Sequence, residues 1–250
     1  MTQNLRRLYK CKKRRSLNKT KIFFSFYAIL SISVIGVQLL QLDTYQNILK
    51  PLLMPTLIAG YFLLKSDRFK KFDYFIIAAL FFSMLGDAFL MPYFNIFMAG
   101  LGAFLMGHIF YLLAFIPDIK KPIKLDKQKY IRASIGFFFY AFLVIFLLQK
   151  LISTHQSPIL MVAISIYATV LFSVFLVALL RNKVNKSSYN FILLGAALFL
   201  LSDGLLAINK FVVDIPLQRL WVMGTYTSAQ AFLMYGSLER DALRLRSGQI

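Results

Sequence analysis

The stretch Phe81-Phe82-Ser83-Met84-Leu85-Gly86-Asp87-Ala88-Phe89-Leu90-Met91 lies inside an apolar run that extends over about residues 74–92. A run of this length can cross the hydrocarbon core of a bilayer as a helix. Asp87 is its only formal charge, and an acid inside a bilayer is costly unless it is paired, protonated or facing water. A second apolar run, Leu198-Phe199-Leu200-Leu201-Ser202-Asp203-Gly204-Leu205, repeats the pattern downstream. The two runs predict a membrane scaffold that holds Asp87 and Asp203.

Composition places the whole chain in the class of all-α polytopic membrane proteins. Of its 250 residues 59% are hydrophobic and the mean hydropathy is +0.67, which is more apolar side chain than a soluble domain can cover. The apolar runs are continuous, which favours helices over the alternating strands of a membrane barrel. Cys11 is the only cysteine, which excludes disulfide scaffolds and cysteine metal sites.

Hydropathy predicts eight transmembrane helices in one bundle domain, residues 22–238. Their approximate bounds are 22–42, 48–64, 73–92, 95–117, 130–152, 158–181, 189–211 and 216–238. Short links at residues 93–94 and 212–215 predict that spans 3 and 4, and spans 7 and 8, form helical hairpins. Asp87 in span 3 corresponds to Asp203 in span 7, which suggests an internal repeat of two parallel four-helix halves.

The net charge of +19 is distributed in the way that membrane topology requires. If the amino terminus is cytoplasmic, all but four of the 29 Lys and Arg residues fall in cytoplasmic segments, which include the basic N-terminal tail 1–21 and the C-terminal tail 239–250. The other side keeps Lys50, Lys150, Lys210 and Arg219. This asymmetry predicts that both termini are cytoplasmic, in a multi-pass protein that we expect in a bacterial inner (plasma) membrane. Basic residues placed between apolar runs indicate no nucleic-acid partner.

Asp87 and Asp203 are the candidate reactive groups of the bundle, because the other eight acidic residues lie in loops, in tails or at the ends of spans. Both lie in the outer half of the bilayer. Their depths differ by about 5 Å, given a helical rise of about 1.5 Å per residue, so they can share one cavity. In the alternative interpretation, each carboxyl is satisfied by a local lysine or hydroxyl and only fixes helix packing.

Polar side chains on three other spans are candidates to act with these acids. Lys50 opens span 2, where it can pair with an aspartate, bind a phosphate or extend to the lipid headgroups. His108 and Tyr111 share one face of span 4, and Tyr226 and Gln230 share one face of span 8. Each pair either contacts a polar ligand or forms hydrogen bonds within the core.

Other functional classes find little support in the sequence. Lys210 and Arg219 are interpreted as interfacial anchors. The chain has no Gly-x-Ser-x-Gly elbow, no phosphate-binding loop and no His-Glu-x-x-His motif. It has only two histidines, so a zinc site built on three histidines is impossible, although an Asp-Asp-His site is conceivable. We therefore predict no metal and no cofactor.

Five motifs in order resemble those of the YhhN family, which includes the animal lysoplasmalogenases. They are Lys50-Pro51, Ser83-Met84-Leu85-Gly86-Asp87, Gly107-His108-Ile109-Phe110-Tyr111, Phe199-Leu200-Leu201-Ser202-Asp203 and Tyr226-Thr227-Ser228-Ala229-Gln230. The resemblance covers residues 48–238 and leaves the basic tail outside.

The resemblance implies a membrane hydrolase that cleaves the vinyl-ether bond of lysoplasmalogen, an alkenyl-glycerophosphoethanolamine or -choline. The products are a fatty aldehyde and a glycerophospho-alcohol. The two aspartates of the family map onto Asp87 and Asp203. Substrate binding is then expected from Lys50, Ser83, His108, Tyr111, Ser202, Tyr226 and Gln230. Paired carboxyls suit this chemistry, because one protonates the β-carbon and the other stabilises the cation and accepts a proton from water.

Two alternatives from other functional classes remain at this point. A proton-coupled transporter or flippase would use the same two aspartates as a proton relay. A purely structural membrane protein would use them for packing. For the hydrolase, the expected partners are a lysophospholipid substrate and membrane lipids, and the oligomeric state cannot be read from the sequence.

Overall fold

The structure, a computed structural model, describes residues 2–65, 67–120 and 126–240, with the side chains of residues 18–42, 44–65, 67–120 and 126–240. Residues 241–250 of the predicted C-terminal tail and the side chains of residues 1–17 of the N-terminal tail lie outside the described residues. Every helix or strand assigned in the described chain is helical. The all-α class is therefore confirmed.

The described chain forms nine α-helices. They are α1 (Thr2–Leu39), α2 (Asp43–Leu49), α3 (Leu53–Leu64), α4 (Lys71–Phe89), α5 (Phe97–Phe115), α6 (Lys127–Ser153), α7 (Pro158–Leu180), α8 (Lys186–Phe211) and α9 (Gln218–Glu239). A 3-10 turn at Lys50–Leu52 joins α2 to α3, because Pro51 lacks the N–H that an α-helical bond would need at this point. The second predicted span is therefore one helical segment that begins before Lys50.

Seven segments of the described chain are long and apolar enough to cross a membrane. They are Asn18–Leu39, Thr44–Leu64, Lys71–Phe89, Phe97–Asp118, Lys127–Ser153, Pro158–Leu180 and Lys186–Phe211. They correspond to the first seven predicted spans. The predicted eighth span, α9, is 22 residues long but more polar. It contacts α1, α3, α4 and α8, which cover much of its surface.

The hairpins α4–α5 and α8–α9 are the two most extensively packed helix pairs among the described elements, as their short links predict. In each hairpin the two helices approach closely at a glycine, which has no side chain. A Cβ at Gly107 of α5 would lie 3.1 Å from the carbonyl oxygen of Ala79 in α4. A Cβ at Gly195 of α8 would lie 3.0 Å from the carbonyl oxygen of Ala229 in α9. Any side chain at either glycine would push the paired helices apart.

One end of the bundle is fastened by buried ion pairs, and we call it the Asp118 end. Asp118 accepts hydrogen bonds from Arg181, which follows α7, at 2.8 Å and from Arg240, which follows α9, at 2.5 Å. Lys65, which follows α3, lies 2.8 Å from the buried Asp73 at the start of α4. The pairs of Asp118 hold the ends of α5, α7 and α9 together, and the pair of Lys65 with Asp73 holds the end of α3 to the start of α4.

The opposite end, where α4 and α8 terminate and α9 begins, is called the Lys50 end. No ion pair between described residues fastens this end. Its tight turns instead contain residues with positive φ, for example Asn95 with φ of 44° and Leu217 with φ of 55°. A cavity lined by residues of both hairpins lies at this end.

Candidate functional site

Asp87 and Asp203 line the same cavity, whose volume is about 280 Å³. The Asp87 side chain is buried, two residues before α4 ends at Phe89, and Asp203 is partly buried, eight residues before α8 ends at Phe211. The sequence predicted that α4 would continue to residue 92, so Asp87 is closer to its helix end than expected. Two acids from different hairpins nevertheless face one space.

Each carboxyl is held by the hydroxyl of a tyrosine from another helix. Tyr226 of α9 donates to Oδ2 of Asp87 at 2.7 Å. Tyr167 of α7 donates a short hydrogen bond to Oδ2 of Asp203. Both tyrosines line the cavity. No donor in the described part of the chain engages Oδ1 of either aspartate, so that oxygen is available to a ligand in the cavity.

Three of the predicted binding residues form a buried network behind the cavity wall. Gln230 donates from Nε2 to the Ser83 hydroxyl at 3.0 Å and accepts at Oε1 from the Tyr111 hydroxyl at 2.7 Å. None of the three is among the residues that line the cavity. Gln230 shares a helix face with Tyr226 but lies one turn deeper, where α9 is packed against its neighbours. The network joins α4, α5 and α9 directly beneath Asp87 and Tyr226.

His108 also lies behind the wall, and Ser202 lies on it. The His108 ring packs edge-on against Phe199 at 4.6 Å and Tyr167 at 5.4 Å between ring centres. Its Nδ1 is 2.7 Å from the carbonyl oxygen of Phe104, and its buried Nε2 has no hydrogen-bond partner in the structure. Ser202 lines the cavity and donates to the carbonyl oxygen of Val222 at 3.1 Å.

The described residues do not form the Asp-Asp-His metal site that the sequence left open. Their His, Cys, Asp and Glu side chains do not gather in groups of three. His108 is kept away from the two carboxyls because it faces the rings of Tyr167 and Phe199, behind the wall.

Three basic side chains line the cavity at the Lys50 end: Lys50, Lys210 and Arg219. Lys50 was predicted from the sequence as a site residue, and the other two were predicted as interfacial anchors. In the structure, Lys210 lies 4.5 Å from the centre of the Phe97 ring. Arg219 donates from Nη1 to the carbonyl oxygen of Gln38 at 2.7 Å. The three cations come from three different segments, and all three line the same cavity.

The other part of the cavity wall is apolar. It is formed mainly by side chains of α6, α7 and α8, namely Leu143, Leu147, Ile164, Ala168, Leu171 and Leu200. The cavity therefore has a cationic end, a pair of carboxyls and an apolar flank. Such a site can accept an amphiphile whose polar group is anionic.

Tyr167 was not predicted from the sequence, although it is the direct hydrogen-bond partner of Asp203. A tyrosine in a membrane span is usually an interfacial residue, so the residue type of Tyr167 did not indicate a role in the site. Its position gave a weak indication, because Tyr167 lies in the middle of α7 and far from either helix end. The grouping of Lys210 and Arg219 with Lys50 was more clearly indicated by the sequence. These are three of only four basic residues predicted on the non-cytoplasmic side of the membrane.

Comparison with known proteins agrees with the motif resemblance. The model of the YhhN family matches residues 45–237. The lysoplasmalogenase TMEM86B of Mus musculus is 33% identical over 168 residues, which cover 66% of this chain and 64% of the mouse protein. The protein of the same name from Rattus norvegicus is 30% identical over 176 residues, covering 70% of this chain and 66% of the rat protein. The one from Sus scrofa is 31% identical over 181 residues, covering 72% and 70%.

The matched segment spans just under two thirds of the length of the mouse and rat relatives. No solved structure matches the chain. The apolar helices and the family together identify an integral, multi-pass membrane protein. The relatives reported are mammalian, so the bacterial inner membrane stays a prediction from the sequence. With a family model that matches most of its length, the chain belongs to the YhhN family.

Proposed function

We propose that the chain is a membrane-embedded hydrolase that cleaves the vinyl-ether bond of lysoplasmalogen. One observation carries the proposal: Asp87 and Asp203 line one cavity that is cationic at one end and apolar along its flank. Relatives named lysoplasmalogenase support the substrate class. The products are a fatty aldehyde and a glycerophospho-alcohol.

The polarity of the cavity suggests how the substrate lies in it. The glycerophosphate group of the lipid points toward the Lys50 end, where the basic side chains are. The alkenyl chain lies along the apolar flank formed by α6 and α7. The vinyl ether joins these two parts of the lipid, so it comes to rest between the cationic end and the apolar flank, near Asp87 and Asp203.

The proposed reaction adds one water molecule with paired carboxyls as acid and base. One aspartic acid protonates the β-carbon of the vinyl ether and leaves an oxocarbenium ion. The other aspartate stabilises that cation. Water then adds to the α-carbon and gives a proton to this second aspartate. In the hemiacetal, the hydroxyl returns its proton to the first aspartate and the leaving oxygen takes the proton from the second. The hemiacetal then separates into aldehyde and alcohol, and both carboxyls regain their starting states.

Tyr167 and Tyr226 have positioning roles in this scheme. Each donates to Oδ2 of one aspartate, which leaves Oδ1 for the substrate or the water. The network of Ser83, Tyr111 and Gln230 supports the same side of the site from behind. Carboxyls that are held in this way lose little orientational freedom when the substrate binds.

The direct test is aldehyde release by the purified protein in detergent. A lysoplasmenyl lipid and the corresponding lysoacyl lipid are supplied in parallel. The proposal expects aldehyde from the first and no cleavage of the second, because only the vinyl ether can form the oxocarbenium ion. The transporter alternative predicts no release from either lipid, since transport needs a sealed compartment and leaves the lipid intact.

We also propose that α9 is the eighth span and that both termini are cytoplasmic. At about 1.5 Å per residue, 22 residues extend about 33 Å, enough for the hydrocarbon core. The polar side chains of Thr227, Gln230 and Ser237 in α9 are tolerated because they are buried against the rest of the bundle. Reporters fused after Gln41, Arg68 and Ile250 should report outside, inside and inside. An external C-terminus would overturn this topology.

The predicted internal repeat gains support from the two hairpins. Asp87 and Asp203 lie eight residues after Ala79 and Gly195, and these two residues make the close backbone approaches of α4–α5 and α8–α9. Corresponding positions therefore carry both the helix contact and the carboxyl. This spacing is expected if the two halves share one ancestral hairpin.

A further inference from the structure

The basic side chains at the Lys50 end of the cavity lack a direct carboxylate partner among the described residues, although Asp87 in the same cavity interacts electrostatically with Lys50. Lys50, Lys210 and Arg219 form no ion pair with a carboxylate of the described residues. Lys50 is partly buried and its ammonium group has no hydrogen-bond partner there. Lys210 packs over an aromatic ring, and Arg219 donates to one backbone carbonyl. Several cations that line one cavity without direct ion pairs are typical of a site that binds an anion.

Two buried glutamines on the same wall point to a ligand independently. Gln38 at the end of α1 and Gln46 in α2 line the cavity, with side chains only 4% and 9% exposed. The Oε1 atom of each is buried without a hydrogen-bond donor in the structure. Buried polar atoms of native proteins are almost always satisfied, so each such acceptor requires an explanation. A ligand that carries O–H or N–H groups would supply the missing donors.

We propose that Gln38, Gln46, Lys50, Lys210 and Arg219 form a binding site for the phosphate-ester headgroup of a lysophospholipid. The phosphate oxygens accept hydrogen bonds from the three cations. The two amide oxygens accept from the glycerol hydroxyl or from the headgroup ammonium. This inference rests on the proposed function for the identity of the lipid, and it adds the residues that recognise its head.

The site also predicts that the protein distinguishes lipids by their headgroups. Neutral lipids such as a monoalkylglycerol share the chain and the glycerol but lack the phosphate. They would lose the contacts to the cations, of which Lys50 is partly buried and Lys210 and Arg219 are exposed. We expect at least about a tenfold preference for the phosphate lipid, the effect of losing one charge-assisted hydrogen bond.

The test is equilibrium binding to the full chain in detergent, with a saturated 1-O-alkyl lysophosphatidylethanolamine as the probe. This lipid has no vinyl ether, so its binding is measured whether or not the protein is a hydrolase. A monoalkylglycerol of the same chain length is the neutral comparison. Failure of hydrolysis with retained headgroup preference would refute only the proposed function. Equal affinity for the two lipids would refute the headgroup site alone.

Charge variants locate the site within the cavity. Lys50→Gln and Lys210→Gln should each weaken binding of the phosphate lipid about tenfold or more and leave the monoalkylglycerol unchanged. Lys150→Gln is the matched control, because Lys150 is predicted on the same side of the membrane but does not line the cavity. Lys50→Arg keeps the charge and should retain most of the affinity. An equal loss in the Lys150 variant, or none in the Lys50 variant, would overturn the assignment.

Competition separates the lipid from free phosphate as the source of the anion. Inorganic phosphate and glycerol 3-phosphate are added to the protein with the alkyl lysolipid bound. We expect displacement only at concentrations at least about a hundredfold above the Kd of the lipid, because the free anions lack the chain that fills the apolar flank. Displacement near the Kd would identify a site for a soluble phosphate and would contradict the lipid assignment.

Discussion

Removing the hydroxyl of Tyr167 should slow the proposed reaction while leaving the fold and the substrate affinity nearly unchanged. Tyr167 donates to Oδ2 of Asp203, and Asp203 has no other hydrogen bond from the described residues. In Tyr167→Phe the ring is kept, so its edge-on contact with His108 remains. The carboxyl of Asp203 loses the one group that sets its direction toward the cavity.

The expected loss follows from the type of hydrogen bond. A hydrogen bond to a charged group contributes about 1.5–3 kcal/mol, and about 1.4 kcal/mol corresponds to a tenfold change in rate. If the bond acts fully in the transition state, kcat for aldehyde release should fall about 10- to 150-fold in Tyr167→Phe. KM should change less than about twofold, because the headgroup and chain contacts lie elsewhere in the cavity.

Tyr140→Phe is the matched control for this variant. Tyr140 also lines the cavity, but its hydroxyl is paired with Thr169 at 2.9 Å and contacts neither carboxyl. Kinetics of aldehyde release and the melting temperature in detergent should be measured for both variants. Unchanged kcat in a folded Tyr167→Phe would refute the positioning role. An equal fall in Tyr140→Phe would show that the loss reflects general disturbance of the cavity.

Two further substitutions test the parts of the structure that support the site. Asp118→Asn should lower the free energy of unfolding by about 3–5 kcal/mol, since the buried Arg181 loses its counter-charge. Asp126→Asn is its control, because Asp126 only caps the exposed start of α6 and Asn caps equally well, so thermal unfolding should barely change. Gln230→Leu leaves the buried Tyr111 hydroxyl without its acceptor and should cost about 1–3 kcal/mol of stability with KM unchanged. A raised KM at full stability would instead show that Gln230 contacts the substrate.

The helices were predictable from the sequence because a bilayer leaves the backbone few choices. Each long apolar run must satisfy its own N–H and C=O groups, so it forms a helix over nearly its full length. The ends were less well predicted, because apolar residues continue past the last helical hydrogen bond. Leu90 and Met91 extend the apolar run of α4, although the helix ends at Phe89.

Residues of the candidate site were predictable only where a charged side chain lies inside an apolar span. Asp87 and Asp203 were found in this way, and both line the cavity. The depth of Lys210 near a helix end was predictable, but not that it lines the cavity, because depth says nothing about the direction of a side chain around the helix axis. Tyr167 was not predicted, because a tyrosine in an apolar span is not unusual. Gln230 was expected on the cavity wall because it shares a helix face with Tyr226. The cavity, however, reaches Tyr226 and does not extend one turn further to Gln230.

The most direct test of the account is aldehyde release by Asp87→Asn and Asp203→Asn, measured together with their melting temperatures. Asparagine keeps the shape of the side chain and removes both the acid proton and the negative charge. Each variant should fold and should lose at least about 10²- to 10⁴-fold in turnover, the usual contribution of a general acid or base. The double variant should lose little more than the worse single one, because both carboxyls serve one transition state. Full activity in either folded Asn variant would contradict the two-aspartate mechanism and assign that residue to packing.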